Sequence, residues 1–159
     1  MNGIYQLYLG ATRRIGHYRW FAVVMKHVGT PVDRALIRAS RGRISISGPQ
    51  LPTMLLTTRG RKSGKDRTVP LHYVRDGRNL VAACENFGLQ TQSSWPKNLL
   101  AEPRARVDIA GRVATYVGRP ATQSESARNM PKLVEMWPAH DTYLARSGSR
   151  QVFVFEPAE

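Results

Sequence analysis

The segment from residue 57 to residue 67, TTRGRKSGKDR, places five cationic side chains and two glycines directly after the apolar run MLL. Arginine and lysine supply charge and hydrogen-bond donors, and a glycine-bearing turn can expose backbone amides to an anion. A phosphate-binding P-loop needs four residues between its glycines, whereas only three separate Gly60 from Gly64, and Asp66 follows the lysine. We therefore predict an anion-binding turn between two strands. Its ligand is left open among a nucleic-acid backbone, a nucleotide phosphate, a membrane surface and the acidic tail of a cofactor.

A second candidate for chemistry is the segment VEMWPAHDTYLARSG, which presents Trp137, His140 and Tyr143 at steps of three. That spacing would put the three side chains on one face of a helical turn. Imidazole exchanges protons near neutral pH and a phenol can polarise an acceptor oxygen, although such a stripe is also typical of a packed helix face. No Ser-His-Asp, Cys-His or paired-carboxylate arrangement is present. No metal site is predicted, because the four histidines show no ligand spacing.

Length and composition favour one domain. A chain of 159 residues with 42% hydrophobic content can bury a core of its own, so we expect a single domain over residues 1–159. The one cysteine, Cys84, cannot form an internal disulfide and is predicted to be a small buried hydrophobe. The chain opens without the pattern of a secretory leader and has no run of about 18 apolar residues. We therefore expect a cytoplasmic protein whose membrane contact would be peripheral, at the inner face.

The sequence is strongly basic, with 24 Lys and Arg against 11 Asp and Glu and a formal net charge of +13. Residues 1–50 hold eight of those cations and a single acid, Asp33. Such an excess attracts anionic partners, although surplus arginines also keep a small protein soluble. The first 30 residues combine cations with five aromatic side chains on a helical pattern, which is typical of a helix in a membrane interface. A helix packed on the rest of the domain is the alternative.

The elements that must position these residues can be read from periodicity. Apolar residues recur at helical spacing from Ile4 to Val28, with weak points at Gly10 and Gly16, and Pro31 to Arg41 follow as a second helix. The later segments are RISIS, TMLLTT, RTVPLHYV, NLVAACE, ARVDIA, VATYV and QVFVFE as strands, Arg75 to Arg78 as a hairpin turn, and Trp95 to Ala101 and Ser124 to Met136 as helices, the last capped by Thr122 or Ser124. This order predicts a mainly β, α+β domain: a small antiparallel barrel decorated by helices, with a helical N-terminus over residues 1–41.

Three segments in this order, LLTTRGRKSGKDRTVPLHYVRDGRNLVAA, SSWPKNLLAEPRARVDI and VFVFEP, resemble the deazaflavin (F420)-dependent nitroreductase family, also called the F420H2-dependent quinone reductase family. The resemblance covers roughly residues 51–157 and is loose over the first 50. It implies a split β-barrel of the flavin/deazaflavin reductase type that binds coenzyme F420. It also implies hydride transfer from the reduced coenzyme to a quinone, an enone or other activated alkene, or a nitro compound. Flavin mononucleotide (FMN) is the alternative cofactor, because related split barrels use it.

The resemblance also assigns the anion of the basic turn, since F420 carries a phosphodiester and a tail of γ-linked glutamates. By matching position, the phosphate and tail would meet Arg61, Lys62 and Ser63, the deazaflavin would lie beside Arg67, Thr68, Val69, Pro70 and Leu71, its edge would meet Ala83, Cys84, Glu85 and Asn86, and the site would be closed by Ser94, Trp95, Lys97 and Asn98. Two of these have a structural alternative. Trp95 is equally typical of a core aromatic, and Pro70 of a bulge or a sheet edge.

Family members place aromatic residues, often tyrosines, at the positions of Trp137, His140 and Tyr143, where they cover the coenzyme and shape the acceptor pocket. Tyr143 keeps the hydroxyl, whereas Trp137 and His140 depart from tyrosine, and Glu85 replaces a small hydroxyl residue. These departures leave nitro reduction open. His140, Tyr143 and solvent are the candidate proton donors. His72 also replaces an aromatic and is expected in the pocket wall or at the surface.

Two functions of other classes compete with the reductase: a basic nucleic-acid-binding barrel, and a lipid- or membrane-surface-binding protein without reductase activity. A nucleic-acid interface needs exposed aromatics interleaved with cations on a sheet face, whereas these strands alternate so as to bury their aromatics. The expected partners are a small-molecule hydride acceptor and, at the N-terminal helices, an anionic membrane surface, with no nucleic acid. The sequence leaves both a monomer and a homodimer open.

Overall fold

The computed structural model describes residues 2–41, 44–48, 51–91 and 93–159. Its helices are α1 (Asn2–Ile15), α2 (Arg19–Val24), α3 (Thr30–Ala39), α4 (Ser94–Ala101), α5 (Gln123–Met136) and α6 (Ala139–Ser147), with a π-helical stretch, Met25–Gly29, joining α2 to α3. Its strands are β1 (Thr53–Arg59), β2 (Asp66–His72), β3 (Val74–Asp76), β4 (Asn79–Cys84), β5 (Arg104–Ile109), β6 (Arg112–Pro120) and β7 (Gln151–Pro157). The α+β order predicted from the sequence is therefore present.

The N-terminal helices precede the sheet in the sequence, and the helical segment is interrupted once, between α1 and α2. α1 runs through Gly10 and ends just before Gly16, where a Cβ would stand 2.9 Å from the ring of Trp137. α3 carries Pro31 in its first turn, where a helix needs no amide from proline. Over the described ranges, no helix has both the length and the apolarity needed to cross a bilayer.

The predicted strand RISIS is wrong over residues 44–47, and its first residue lies outside the described residues. The backbone N–H of Ile46 donates to Oδ1 of buried Asp33 at 2.7 Å. Two residues later, Gly48 donates to the carbonyl of Ser45 at 3.0 Å and closes a turn. A strand would need the Ile46 amide for its own ladder. The carboxylate of α3 therefore bends this segment, which alternation alone could not reveal.

The seven strands form one antiparallel sheet in the order β2-β1-β5-β6-β7-β4-β3, and the sheet is curled, since β2 also packs near β4. The hairpin between β3 and β4 pairs Asp76 with Asn79 and turns at Gly77, whose φ is 63°. The predicted hairpin turn is therefore confirmed. The predicted strand RTVPLHYV is instead two strands, because the amide of Tyr73 donates to the carbonyl of Pro52 between them and each strand pairs with a different neighbour.

The core lies on the inner face of the curled sheet and is closed by α4. It consists of Met54, Leu56, Tyr73, Leu80, Ala82, Trp95, Leu99, Ala105, Val107, Phe153 and Phe155. Trp95 is 4% exposed and packs edge-on against Phe153, with ring centroids 5.2 Å apart. Trp95 is therefore a core aromatic, the alternative given above, because little of its surface is left to contact a cofactor.

The position of α5 is fixed by its cap. Thr122 Oγ1 accepts the amide of Glu125 at 3.2 Å, and the Glu125 carboxylate accepts the amide of Thr122 at 2.8 Å. Arg119 also binds this carboxylate through two bonds of 2.8 Å and, as the main cause, lowers the pKa of Glu125 to about 2. α6 then ends at Gly148 in the left-handed region, with φ of 65°. Of the two predicted caps, Thr122 is confirmed.

Candidate functional site

The basic turn joins β1 to β2 and is built on its two glycines. Gly64 donates to the carbonyl of Gly60 at 2.7 Å, and the amide of Gly60 donates to the carbonyl of Lys65 at 2.8 Å. A Cβ on Gly60 would stand 2.7 Å from the Ser63 hydroxyl, and Gly64 has a φ of 64°, so both positions favour glycine. The predicted anion-binding side chains on this turn are all exposed: Arg61, Lys62 and Ser63.

α4 holds the basic turn in place through Asn98. The side-chain oxygen of Asn98 accepts the backbone N–H of Arg61 at 3.2 Å, and its nitrogen donates to Thr58 Oγ1 at 3.0 Å. Asn98 is 3% exposed, so it supports the turn from within. Ser94 and Lys97 remain exposed on the same helix.

The five consecutive residues predicted beside the deazaflavin lie on two faces of β2. Val69 and Leu71 pack against the core, and exposed Arg67, two residues before Val69, points to the same face of the strand. Thr68 and Pro70 point to the outer face. β2 is an edge strand, which is where a sheet tolerates proline. A flat ligand can therefore contact the side chains of one of these sets together with the strand backbone, but not both sets.

α3 brings two further cations to β2 that the sequence did not assign to the site. Arg34 Nη1 donates to the carbonyl of Thr68 at 3.0 Å, and Arg38 Nη2 donates to Thr68 Oγ1 at 2.9 Å. Their spacing of four residues, which places both on one helix face, was the available signal. Positive charge therefore extends from the basic turn to α3.

A cluster of four rings, which we call the aromatic cluster, lies at the other end of β2: His72, Trp137, His140 and Tyr143. The ring centroids of His72 and Trp137 are 6.1 Å apart, and Trp137 Nε1 donates to the Tyr143 hydroxyl over 3.4 Å. The rings of His140 and Tyr143 are 6.5 Å apart. Trp137 follows α5 with extended backbone, whereas His140 and Tyr143 lie on α6. The three predicted residues do meet, but across a bend and not on one helical turn.

Burial changes the proton affinity of two rings in the aromatic cluster. It lowers the pKa of His72 from 6.5 to about 4, with a further contribution from His140, so the His72 imidazole is neutral at physiological pH. Its Nδ1 lies 3.1 Å from Thr53 Oγ1. Burial also raises the pKa of Tyr143 above its usual value near 10, so the phenol stays protonated and able to donate.

Glu85, directly after β4, is engaged within the protein. It is 5% exposed, Oε1 accepts from Arg150 Nε at 2.6 Å, and Oε2 lies 2.8 Å from His140 Nδ1. The next three residues all have positive φ: Asn86 (48°), Phe87 (57°) and Gly88 (71°). Such backbone is uncommon for a residue as large as phenylalanine and is concentrated at functional sites. No motif in the sequence could have identified Arg150.

The other residues predicted at the deazaflavin edge are half-buried. Ala83 shares the strand face of Glu85, whereas Cys84 packs against the core. Burial raises the pKa of the Cys84 thiol to about 11, so it stays protonated. The side chain of Asn86 donates to the carbonyl of Thr91. Among the described residues, no three His, Cys, Asp or Glu side chains gather as a metal site requires.

β2 connects the basic turn to the aromatic cluster. At about 3.3 Å per residue, the run from Asp66 to His72 spans about 20 Å. One end offers exposed cations, and the other offers aromatic rings whose polar groups can exchange protons. This arrangement suits an elongated ligand with an anionic end and a flat, reactive end.

Two cavities in the described part of the chain lie away from these residues. One, of about 350 Å³, includes Met130, Arg150 and Phe153, and the other, of about 320 Å³, includes Arg59 and Arg106. None of the site residues predicted from the sequence lines either cavity. Neither cavity therefore marks the predicted site.

Residues 31–157 match the protein family described as F420H(2)-dependent quinone reductase. That stretch is most of the chain and contains both the basic turn and the aromatic cluster. The chain belongs to this family. Its cofactor is accordingly coenzyme F420, and its activity is that of an F420H2-dependent reductase.

Individual relatives agree with the family. A putative F420H(2)-dependent quinone reductase of Mycobacterium tuberculosis (strain ATCC 25618 / H37Rv) is 30% identical over 92 residues, which are 58% of this chain and 77% of the relative. A solved F420-H2 dependent reductase has a TM-score of 0.60 at 29% identity, covering 66% of this chain and 94% of that chain. Another solved structure, described as a domain-swapped dimer, has a TM-score of 0.62 at 26% identity, covering 79% of this chain and 99% of that chain. These likenesses confirm the split β-barrel of the flavin/deazaflavin reductase type.

The residues present fit F420. The phosphodiester and glutamate tail of the coenzyme are anionic, and the exposed donors on the basic turn are cationic. At the other end of β2, Nε2 of His140 is buried and has no hydrogen-bond partner among the described residues. The polyanionic end and the polar ring end of F420 would therefore each have a matching group at one end of β2.

Proposed function

We propose that this protein oxidises F420H2 and passes the hydride to a quinone, with enones, other activated alkenes and nitro compounds as further acceptors. The observation that carries the proposal is that β2 joins a cationic turn to a cluster containing Trp137, His140 and Tyr143. The family description, which names quinone reduction, supports a quinone as the first acceptor. Nitro reduction ranks last, because Trp137, His140 and Glu85 depart from the residues of nitroreductase members.

We assign coenzyme binding to the turn and the strands beside it. Charge-assisted hydrogen bonds of about 1.5–3 kcal/mol each would hold the phosphate and the tail. The proposed binding residues are Arg61, Lys62, Ser63, Ser94, Lys97 and Arg67 through side chains, Thr68, Val69, Pro70 and Leu71 through the backbone of β2, and Ala83, Cys84 and Asn86 at the ring edge. Trp95 and Asn98 support the core and the turn. Glu85 is engaged with Arg150 and His140, so we do not assign it to the coenzyme.

Reduction of a quinone needs one hydride and one proton. When bound, the reduced coenzyme supplies the hydride. The protein must orient the acceptor, exclude water and deliver the proton. We assign proton delivery to His140 and a hydrogen bond to the acceptor oxygen to Tyr143, whose raised pKa keeps its hydroxyl protonated. Trp137 supplies the flat wall against which a planar acceptor packs.

Anaerobic oxidation of F420H2, followed by the recovery of F420 fluorescence, tests this function. A soluble naphthoquinone, a cyclic enone and a nitroimidazole are compared as acceptors, each with a protein-free control. We expect the quinone to be reduced fastest and the nitroimidazole slowest. Coenzyme that is consumed at the protein-free rate with all three acceptors would refute the proposed function.

The N-terminal helices support a membrane surface as a further partner, at the cytoplasmic face where a bilayer-borne quinone could be reached. The α2–α3 stripe consists of Trp20, Val24, Val28, Val32 and Leu36, which recur every four residues and are 36–59% exposed. Uncovered apolar surface of this kind marks an interaction site. Arg14 and Arg19 are exposed nearby in sequence and suit anionic headgroups. We therefore assign the stripe to a bilayer surface.

A further inference from the structure

A chain of three side chains, Arg150, Glu85 and His140, lies behind the aromatic cluster. The side chain of Glu85 is 2% exposed and that of Arg150 is 15% exposed. One arginine suffices to pair a buried carboxylate, yet the second oxygen of Glu85 is committed to His140 Nδ1 at 2.8 Å. Arg150 also donates to the backbone carbonyl of His140 at 2.9 Å. Both the ring and the backbone of His140 are therefore held by the same two residues.

The other ring nitrogen of His140 is left free. Nε2 is buried and has no hydrogen-bond partner among the described residues, and such an atom in a folded protein requires an explanation. With Nδ1 facing a carboxylate, Nδ1 is the nitrogen that keeps a proton, so Nε2 is the one left to exchange a proton with a ligand. A histidine oriented in this way by a carboxylate is the arrangement that enzymes use to move protons.

We propose that Glu85 and Arg150 are positioning residues that hold His140 for proton transfer to the acceptor. This rests on the proposed function, in which the acceptor receives the hydride and then one proton. The Nε2–H bond of His140 breaks as the O–H bond of the product forms, and the ring keeps its Nδ1–H bond to Glu85. One proton taken up from bulk solvent then restores the Nε2–H bond, so each turnover consumes one hydride and one solvent proton. Arg150 occupies the other carboxylate oxygen and so fixes the plane of Glu85.

Charged and titratable groups face His140 from each element packed around it. Glu85 directly follows β4, Arg150 directly precedes β7, His72 ends β2, and Tyr143 lies on α6. His72, with a pKa of about 4, is neutral at physiological pH, and Tyr143, with a raised pKa, is neutral as well. Asp141 binds Arg150 at 3.2 Å from an exposed position. Among the described residues, Glu85 and Arg150 are thus the charges that act directly on His140.

Imidazole nitrogen NMR of the protein without coenzyme, combined with steady-state kinetics, tests the proposal. In the wild type we expect a single His140 tautomer, with the proton on Nδ1 facing Glu85. In Glu85→Gln we expect a mixture of tautomers and a loss of kcat with the quinone of about a hundredfold, the scale of general acid catalysis. The dissociation constant of oxidised F420 should change by less than about twofold. Arg150→Lys should restore part of the rate that Arg150→Ala loses.

The matched control is Glu156→Gln, which removes another arginine-paired glutamate, bound to Arg119 at 2.7 Å and remote from His140. It should leave both the His140 tautomer and kcat unchanged. An Nδ1 proton and a kcat that are the same in Glu85→Gln as in the wild type would overturn the proposal. The NMR result decides the role of Glu85 even if the wild type oxidises no F420H2, an outcome that would refute only the proposed function. If Glu85→Gln fails to fold, Arg150→Lys serves in the same two measurements.

Discussion

The side chains of the candidate site differ in how firmly the protein holds them. Arg61 and Lys62 project from a turn that is anchored through its backbone by Asn98, so their own positions are adjustable. Glu85 and His140 are instead fixed by packing and by hydrogen bonds on both sides. Changes on the turn should therefore alter binding, and changes in the cluster should alter chemistry.

Arg61→Glu should weaken F420 binding by about tenfold or more for a coenzyme with a long glutamate tail, because a charge-assisted contact becomes a repulsion. A tail-less analogue should lose less affinity. Fluorescence quenching titrations measure both constants. Arg112→Glu makes the same charge change at the opposite end of the sheet, on an exposed side chain, and should affect neither. Equal losses for the two coenzymes in Arg61→Glu would remove this residue from the anionic end.

Tyr143→Phe should lower kcat with a quinone by about tenfold, the effect of losing one hydrogen bond of about 1.4 kcal/mol in the transition state. The affinity for F420 should stay nearly constant, since the hydroxyl is proposed to act on the acceptor. Tyr116→Phe, which alters a tyrosine packed on the core from β6, is the control and should not change kcat. Unchanged turnover in Tyr143→Phe would exclude this hydroxyl from the mechanism.

His72 should make the free energy of unfolding depend on pH. Its pKa is about 4 in the folded protein and 6.5 ordinarily, so between these values the unfolded chain binds a proton that the folded chain does not. The stabilisation is fully present above pH 6.5 and is lost as the pH falls toward 4. Urea unfolding at a series of pH values should show this loss in the wild type and a smaller one in His72→Gln. His27→Gln, at an exposed histidine, should retain the wild-type profile.

At the scale of the elements, α1 and the α2–α3 stripe play different parts. The end of α1 is attached to the α5–α6 region, where Arg13 donates to the carbonyl of Met136 at 3.2 Å and the His17 ring bonds to the Thr142 hydroxyl. α3 turns Arg34 and Arg38 toward β2. These contacts agree with the interpretation that the N-terminal helices pack on the rest of the domain. The α2–α3 stripe, in contrast, stays exposed among the described residues.

Val28→Gln combined with Val24→Gln should reduce sedimentation of the protein with vesicles of phosphatidylglycerol and phosphatidylcholine, because the stripe would lose apolar area. Val113→Gln is the matched control, since Val113 on β6 is 60% exposed and Val28 is 57% exposed. Sedimentation velocity of the same variants reports on a second copy of the chain as the occupant. A wild type that ignores vesicles, or a dimer that the stripe variants abolish, would argue against the membrane assignment.

At the scale of the whole molecule, the net charge of +13 and the family membership both point to a polyanionic cofactor. F420 at a hundred times its dissociation constant should stabilise the fold by about 2.7 kcal/mol. For a domain of this size, that corresponds to a rise in Tm of about 5–10 °C. FMN at the same concentration should give a smaller rise, because it lacks the glutamate tail. Differential scanning fluorimetry measures both, and an equal or larger rise with FMN would count against F420 as the preferred ligand.

Several elements followed from local sequence alone. The hairpin at Gly77, the Thr122 cap and the tight turn on Gly60 and Gly64 each depend on residues within a few positions of one another, and so they were predictable. The strand predicted for RISIS was wrong for the opposite reason. The conformation of this segment depends on the carboxylate of Asp33, 13 residues before Ile46, and no local pattern predicts a hydrogen bond to so distant a residue.

The sequence by itself determined the α+β class, the helical N-terminus and the cationic turn, and three ordered segments indicated the F420-dependent family. The first three depend on periodicity, composition and spacing, which are properties of the chain before it folds, whereas the family rests on the resemblance of those segments to its members. Tertiary structure alone decided which residues meet. It split the β2 residues between two faces, put Trp95 in the core, and joined Glu85 to Arg150 and His140 across 65 and 55 positions. The physical reason is that hydrogen bonds and burial act over a few ångströms in space, whatever the distance along the chain.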